Sequence, residues 1–136
     1  MRTGAIRLQT ERRRQAVDIT GEVNRHLSGH RAEEGLCLLF LQHTTAALAV
    51  GEVGEGTEED FLEVLSELIP KIRFRHAHDP SHAPSHMISS ILGPSLSLPV
   101  SSRRLALGTW QSAMLIELDG PKERTIQVTF LRSDPA

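Results

Sequence analysis

Histidines are concentrated in one short segment of this chain. Residues 74–86 read FRHAHDPSHAPSH and contain four of the seven histidines. Imidazole is the commonest protein ligand for transition metals, and it is the only side chain whose ordinary charge changes near neutral pH. The segment therefore indicates a metal site or proton transfer. Its four histidines are His76, His78, His82 and His86.

The spacing of these histidines permits two chelating pairs. His76 and His78 are two positions apart, so on an extended segment they share one side. His82 and His86 are four apart, which would also form a pair on a helix, but Pro84 between them disfavours a continuous helix. A solvent-exposed polar loop is the alternative interpretation of the whole segment.

His43 is a fifth candidate, and it closely follows the apolar run that begins at Leu36. A polar ring at the end of such a strand usually has a buried hydrogen-bond partner or a function. Three neutral imidazoles would leave an open position on zinc, where a bound water or a phosphoryl oxygen is activated. If the protein is an enzyme, metal-assisted acid/base chemistry is the best match to these residues.

Length and composition exclude several classes of protein. A chain of 136 residues has the size of one domain, and we predict a single domain over residues 1–136. A net charge of −2 and 4% aromatic residues give no footprint for nucleic acid. The longest apolar stretch is too short to cross a bilayer, and the single Cys37 rules out a disulfide framework. We expect a cytoplasmic protein without nucleic-acid or membrane partners, in which Cys37 is a packing residue.

The pattern of apolar residues predicts an α+β fold. Strands are expected over 4–10 and 16–19, followed by a short helix with Thr20 as its N-cap. Residues 36–50 read as one long central strand. A helix follows from Thr57, which with Asp60 resembles a capping pair, and ends at Pro70.

The second half of the chain is predicted to be rich in strands. After the irregular histidine segment, a short helix is expected over 87–92, and strands over 96–100, 108–118 and 124–131. The turn signal at 119–122 predicts that the last two strands form a hairpin. The order of elements favours a mainly antiparallel sheet or sandwich with two to three helices packed on one side.

Two further positions have side chains suited to a site. Glu52 follows a strand amid glycines, where a carboxylate can act as a ligand or general base, although a solvated acid is the alternative. Trp110 and Gln111 combine the only tryptophan with an amide, and they would shape a pocket if they are not part of the core.

Six motifs in order give the chain a family resemblance. It closely resembles the YjbQ-like family over about residues 36–131. The strongest elements are the HTTA sequence from His43 and the GTWQ sequence from Gly108. The motifs are HTTAAL at 43–48, Glu52, Arg75-His76, Ser85-His86 leading to Leu92-Gly93, LGTWQ at 107–111 and ELDGP at 117–121.

The resemblance implies a compact α+β homotrimer with secondary thiamine-phosphate synthase activity. That reaction joins hydroxymethylpyrimidine diphosphate to a thiazole phosphate and releases pyrophosphate, and in this family it looks minor or promiscuous. The family's histidines fall on His43, His76 and His86, and its acidic position falls on Glu52. Two departures are Gly51, where the family usually has Asn, and Pro84, where it usually has Asp; the second makes His82 a candidate replacement ligand.

Together these observations predict a metal-assisted enzyme of a small phosphorylated metabolite. His43, His76 and His86 would hold a divalent ion, zinc or magnesium, while Glu52 and His43 would be catalytic. The alternative is a trimeric metal- or ligand-binding protein without turnover. Substrate contacts are assigned to Thr45, Trp110, Gln111 and Arg75, and the cations that could neutralise phosphate are Arg75, Arg103, Arg104, Lys122 and Arg124.

Overall fold

The computed structural model describes residues 2–134. Its helices and strands follow one another in an order that mixes the two types throughout. They are β1 (Arg2–Gln9), β2 (Gln15–Asp18), α1 (Thr20–Gly29), β3 (Gly35–Leu41), β4 (Ala46–Gly51), α2 (Thr57–Leu68), a 3₁₀ turn (Pro80–His82), α3 (Ala83–Leu92), β5 (Ser95–Ser101), β6 (Arg104–Leu105), β7 (Ser112–Glu117) and β8 (Glu123–Arg132).

Two antiparallel sheets face each other across the main core. The larger has the strand order β1-β8-β3-β5-β6 and the smaller the order β2-β7-β4. All their pairings are antiparallel. The predicted α+β class, with a mainly antiparallel sandwich and helices, is confirmed.

Strand β7 is buried on both faces and separates two hydrophobic clusters. Ala113 and Leu115 belong to the core between the sheets, whereas Met114 and Ile116 belong to a second cluster that includes Leu65 of α2. Thus α2 and α3 cover the outer face of the small sheet, while α1 contributes to the core between the sheets. Cys37 lies fully buried in that core, where burial raises the pKa of its thiol to about 11.

The single strand predicted over 36–50 is wrong. The run forms two strands, β3 in the centre of the large sheet and β4 at the edge of the small one. Residues 42–45 cross between the sheets. The crossing is held at Thr45, whose backbone carbonyl and hydroxyl accept hydrogen bonds from the Arg124 guanidinium and whose carbonyl also accepts the Leu118 amide at 3.2 Å. This crossing carries His43.

The predicted hairpin between the last two strands is also wrong. β7 pairs with β2 and β4, whereas β8 pairs with β1 and β3. The turn between them is tied to Thr10 at the end of β1, since the amide of Lys122 donates to the Thr10 hydroxyl and the amide of Thr10 donates to the Lys122 carbonyl, both at 2.9 Å. These bonds direct β8 alongside β1.

Helix starts differ from the capping pattern. Ile19 and Gly56 precede α1 and α2, and neither start has a side-chain cap. Gly56 has φ 83°, a left-handed conformation that glycine adopts without a steric penalty. The helix predicted from residue 87 begins at Ala83, because Pro84 is tolerated in a first turn. Within residues 2–134, no helix is long and apolar enough to span a membrane.

Candidate functional site

A buried ion pair lies where the two sheets meet. Nε of Arg124 donates to Oε1 of Glu117 at 2.8 Å, and a second guanidinium nitrogen donates to Oε2. The side chains are 2% and 0% exposed. Thr10 donates its hydroxyl to the same carboxylate at 2.7 Å, and two backbone amides donate to it at 3.0 Å each.

This surrounding keeps Glu117 ionised. Burial alone would raise the pKa of its carboxyl, but the hydrogen bonds from Arg124, Thr10 and the Asp119 amide hold that pKa below the ordinary value. Arg124 also donates to the Thr45 carbonyl and hydroxyl, at 3.0 and 2.9 Å. Thr45, predicted to contact substrate, is therefore a buried part of this network.

His43 lies directly outside the ion pair. Its Nε2 accepts the backbone N–H of Thr125 at 3.0 Å. Burial and the neighbouring Arg124 lower the pKa of His43, with a smaller opposing effect of Glu117. The ring is therefore neutral at pH 7, and because Nε2 is the acceptor, the proton is on Nδ1. His43 offers a hydrogen-bond donor at its other nitrogen.

The His43 ring opens onto a cleft shared with α3. Helix α3 is fixed over β4 by two buried hydroxyls, since Ser85 donates to the Leu118 carbonyl at 2.7 Å and Ser89 donates to the Ala46 carbonyl at 2.6 Å. This orientation brings His86 to the same cleft as His43. The cleft has a volume of about 280 Å³ and is lined by His43, Thr44, His86, Ser89, Ser90 and Pro94.

His86 connects this cleft to a second one. The rings of His76 and His86 stack with their centroids 4.8 Å apart. His76 also lines a groove of about 550 Å³ with Arg73, Phe74, Arg75 and Pro80. We call these two adjoining openings, which are linked by the stacked His86 and His76 and extend from His43 to Arg75, the histidine cleft. It unites the three histidines and the arginine predicted for the site.

The ring of His76 is oriented by its own loop. Its Nδ1 lies 2.8 Å from the Asp79 carbonyl oxygen and 3.3 Å from the Asp79 amide nitrogen. The shorter contact is to an oxygen that can only accept, so it favours the tautomer with the proton on Nδ1. The Nε2 lone pair is left to accept a proton or bind a metal ion. His76 and His43 therefore have complementary roles, one as acceptor and one as donor.

The three histidines do not form a three-ligand metal site within one chain. Among residues 2–134, no three His, Cys, Asp or Glu side chains are placed to hold one ion. His43 is not available as a metal ligand, because its Nε2 lone pair already accepts a hydrogen bond from the Thr125 amide. His76 and His86 are the pair that fits a metal ion, and imidazole suits zinc better than magnesium.

Glu52, Trp110 and Gln111 lie at the opposite end of the small sheet. Gly51 pairs with Ser112 at that end, whereas Ala46 pairs with Glu117 at the end that adjoins His43. Glu52 is exposed, Trp110 is 76% exposed, and Gln111 accepts the Gly108 amide at 2.9 Å. One subunit does not bring Glu52 to His43.

The five cations proposed to bind phosphate occupy different places. Arg75 lies in the histidine cleft. Arg103 pairs with Glu33, and it lines a separate groove beside α1 together with Arg104. Lys122 donates to Asp119 at 2.9 Å, and Arg124 is buried against Glu117. Arg75 is the one of these five in the groove with His76.

His82 is not positioned as a replacement metal ligand. Its Nδ1 lies 3.0 Å from an Asp119 carboxylate oxygen, and its Nε2 lies 3.3 Å from an oxygen of Asp79. The ring therefore bridges two loops. His78 is exposed.

The role of Glu117 and the contribution of Arg73 were not predicted from the sequence. A signal for Glu117 was present, because a carboxylate inside the apolar run AMLIEL requires a buried partner. Arg73 gave no comparable signal, since an arginine in an irregular segment is usually solvated.

Fold and site together define a class of protein: a small two-sheet α+β domain with a histidine-lined cleft between α3 and the strand crossing. The chain belongs to the family described as UPF0047 protein YjbQ-like, which matches residues 4–133. It is 38% identical to a UPF0047 protein of Mycobacterium tuberculosis over 135 residues, covering 96% of this chain and 98% of that one.

Solved structures are equally similar. A hypothetical protein of Aeropyrum pernix K1 superposes with a TM-score of 0.90 at 40% identity, covering 98% of this chain and 100% of the other. A YbjQ-like protein from Sulfolobus solfataricus P2, described as of unknown function, has a TM-score of 0.88 at 34% identity, with 97% of both chains covered. The expected family is confirmed.

Proposed function

We propose that the protein acts on a small phosphorylated metabolite bound in the histidine cleft. The observation that carries the proposal is that the His76–His86 stack joins an opening lined by His43 and His86 to one lined by His76 and Arg75. The combined size of the two openings suits a small metabolite. Arg73 and Arg75 supply positive charge for a phosphate, and guanidinium groups bind phosphate oxygens in a forked geometry.

The protonation of the two outer histidines supports acid/base chemistry. In the neutral tautomer that donates Nδ1–H to the Asp79 carbonyl, the Nε2 of His76 accepts a proton from the substrate. The Nδ1–H of neutral His43 donates a hydrogen bond to an oxygen of the substrate. A diphosphate leaving group, as in thiamine-phosphate synthesis, would be stabilised by the arginines. We propose that synthase activity as a minor reaction of this cleft.

The divalent ion expected from the sequence is proposed for His76 and His86 alone, as the alternative to His76 acting as a base, because one Nε2 lone pair cannot bind a metal ion and accept a proton at the same time. Two imidazoles leave coordination positions for phosphate oxygens and water, and zinc would supply charge that polarises a phosphoryl oxygen. The acid/base assignment of His43 does not require the ion. The cytoplasmic location and the homotrimer expected from the sequence remain part of this proposal.

Pyrophosphate binding provides the first test. We expect metal-free protein to bind pyrophosphate in calorimetry, and Arg75→Ala and His86→Ala each to weaken binding roughly tenfold, the loss of about one charged hydrogen bond. Arg104→Ala and His78→Ala are the matched controls and should bind as the wild type. Equal binding in all four variants would refute the cleft as the site.

Turnover is measured with hydroxymethylpyrimidine diphosphate and thiazole phosphate, followed by release of pyrophosphate, with and without added zinc. Product formation by the wild type that is lost in His76→Ala would support enzymatic activity in the cleft. Tight pyrophosphate binding without product from this pair or from a panel of phosphorylated substrates would instead support the alternative, a ligand-binding protein.

A further inference from the structure

The two halves of the site predicted from sequence lie at opposite ends of one strand. β4 begins beside the His43 crossing and ends at Gly51, directly before Glu52. Six residues of strand span about 17 Å at roughly 3.3 Å per residue. The antiparallel β7 places Trp110 and Gln111 near Glu52, since Ser112 pairs with Gly51. No side-chain movement within one subunit can join these ends.

The end that holds Glu52 is acidic. Helix α2 starts there, and its first turn carries Glu58, Glu59 and Asp60. Glu55 precedes them in the same loop. Among the ion pairs formed by residues 2–134, none involves these acids or Glu52. Trp110 stands beside this charge with 76% of its surface exposed, which is unusual for the only tryptophan of a chain.

The histidine cleft at the other end is basic. The segment that leads into it contains Lys71, Arg73 and Arg75, all exposed. None of these three forms an ion pair within the described part of the chain. One subunit therefore has unpaired charge of opposite sign at its two ends. Such an arrangement favours head-to-tail contact between copies, in which each copy uses both ends.

We propose that the site is composite, and that a second copy of this chain supplies Glu52 and Trp110 to the histidine cleft. The inference rests on the proposed function in taking that cleft as the site. The carboxylate of Glu52 accepts a hydrogen bond from a cleft imidazole and neutralises part of the basic surface. The Trp110 ring covers the cleft and excludes water.

Charge reversal tests the contact. Glu52→Lys alone and Arg75→Glu alone should each raise the subunit dissociation constant on the order of 100-fold, because like charges then face each other. The double variant should recover assembly, since the reversed charges match again. Glu63→Lys and Arg104→Glu are the controls, as both residues are exposed and lie outside the proposed contact. Mass is measured by light scattering across a dilution series.

Trp110 provides an independent readout because it is the only tryptophan. Its emission should shift to shorter wavelength on assembly and return on dilution. A monomeric wild type would overturn the proposal. So would an oligomer whose mass and Trp110 emission are unchanged by both single reversals.

If charge reversal unfolds the chain, a cysteine pair keeps the proposal testable. A chain with Glu52→Cys and Ala77→Cys should form covalent oligomers under oxidation, because Ala77 is exposed beside His76 and the native Cys37 is buried. If oxidation leaves only monomers, without cross-linked species, the contact is refuted. Pyrophosphate binding distinguishes this failure from failure of the proposed function. A wild-type chain that binds pyrophosphate as a monomer retains the cleft but refutes the shared site, whereas a chain that assembles without binding pyrophosphate refutes the proposed function.

Discussion

Two neighbouring regions of this protein use charged and polar side chains in opposite ways. In the Glu117–Arg124 network the carboxylate and the guanidinium are buried, and each accepts or donates several hydrogen bonds. In the histidine cleft, a single backbone residue and the stacked ring of His86 orient His76, and Arg75 is exposed. Polar groups whose hydrogen-bonding capacity is fully used hold the strand crossing in place, whereas groups with unused donors or acceptors are available to a ligand. Residues of one family motif belong to both regions: His43 lines the cleft, and Thr45 is part of the buried network.

Removing one partner of the buried ion pair should have the largest effect on stability. Arg124→Met should destabilise the fold by about 3–5 kcal/mol, because the buried Glu117 carboxylate loses its cationic partner and the Thr45 carbonyl loses one of its two donors. Arg104→Met, at an exposed position, should change stability by less than about 0.5 kcal/mol. Urea unfolding followed by circular dichroism measures both. A loss below about 1 kcal/mol for Arg124→Met would show that the network does not hold the crossing.

The same pair should control stability in acid. The pKa of Glu117 is below its ordinary value in the fold, so the unfolded chain binds the proton more readily. Its contribution is therefore fully present above the unfolded pKa, near 4.3, and is lost as pH falls through the lower folded pKa. Glu117→Gln should flatten the fall in stability below about pH 4, measured by urea unfolding at several pH values. Glu63→Gln should leave that slope unchanged.

Features of the fold that depend on residues close together in the sequence could be predicted, whereas features that depend on contacts between distant residues could not. Apolar periodicity locates α2, and the motif order locates the histidines that meet in the cleft. The exchange of sheets at residues 42–45 was not predictable, because it depends on Arg124, about eighty positions away, binding the Thr45 carbonyl. The separation of Glu52 from His43 was likewise not predictable, since proximity in a motif says nothing about which end of a strand a residue occupies.

His43 lies on the boundary of the two regions, and its titration sharpens the distinction. Its pKa is lowered by burial and by Arg124, so protonation opposes folding. The stability associated with the neutral ring is present above the unfolded value near 6.5 and is lost as pH falls through the lower folded pKa. We expect the His43 ring resonances in NMR to titrate below pH 6.5. A midpoint above that value would mean that the ring is stabilised in its charged form.

His43→Phe should also leave the Thr125 amide without its acceptor and cost about 1–3 kcal/mol. His43→Gln keeps an acceptor near that amide and removes the titration. It should recover part of the stability and abolish the pH dependence assigned to His43. The difference between these variants separates the hydrogen bond from the proton.

The smallest expected effect is at His82, which belongs to neither region and ties the histidine segment to the turn after β7. Its ring is 37% exposed and bridges Asp79 and Asp119, so water screens both contacts. His82→Ala should lower global stability by less than about 1 kcal/mol. Amides near Ser81 should nevertheless exchange faster with deuterium, because their turn loses its contact with Asp119. His78→Ala is the matched control. Equal exchange in the two variants would show that the segment is held by the stacked rings of His76 and His86, which would make the cleft more rigid than its exposed arginines suggest.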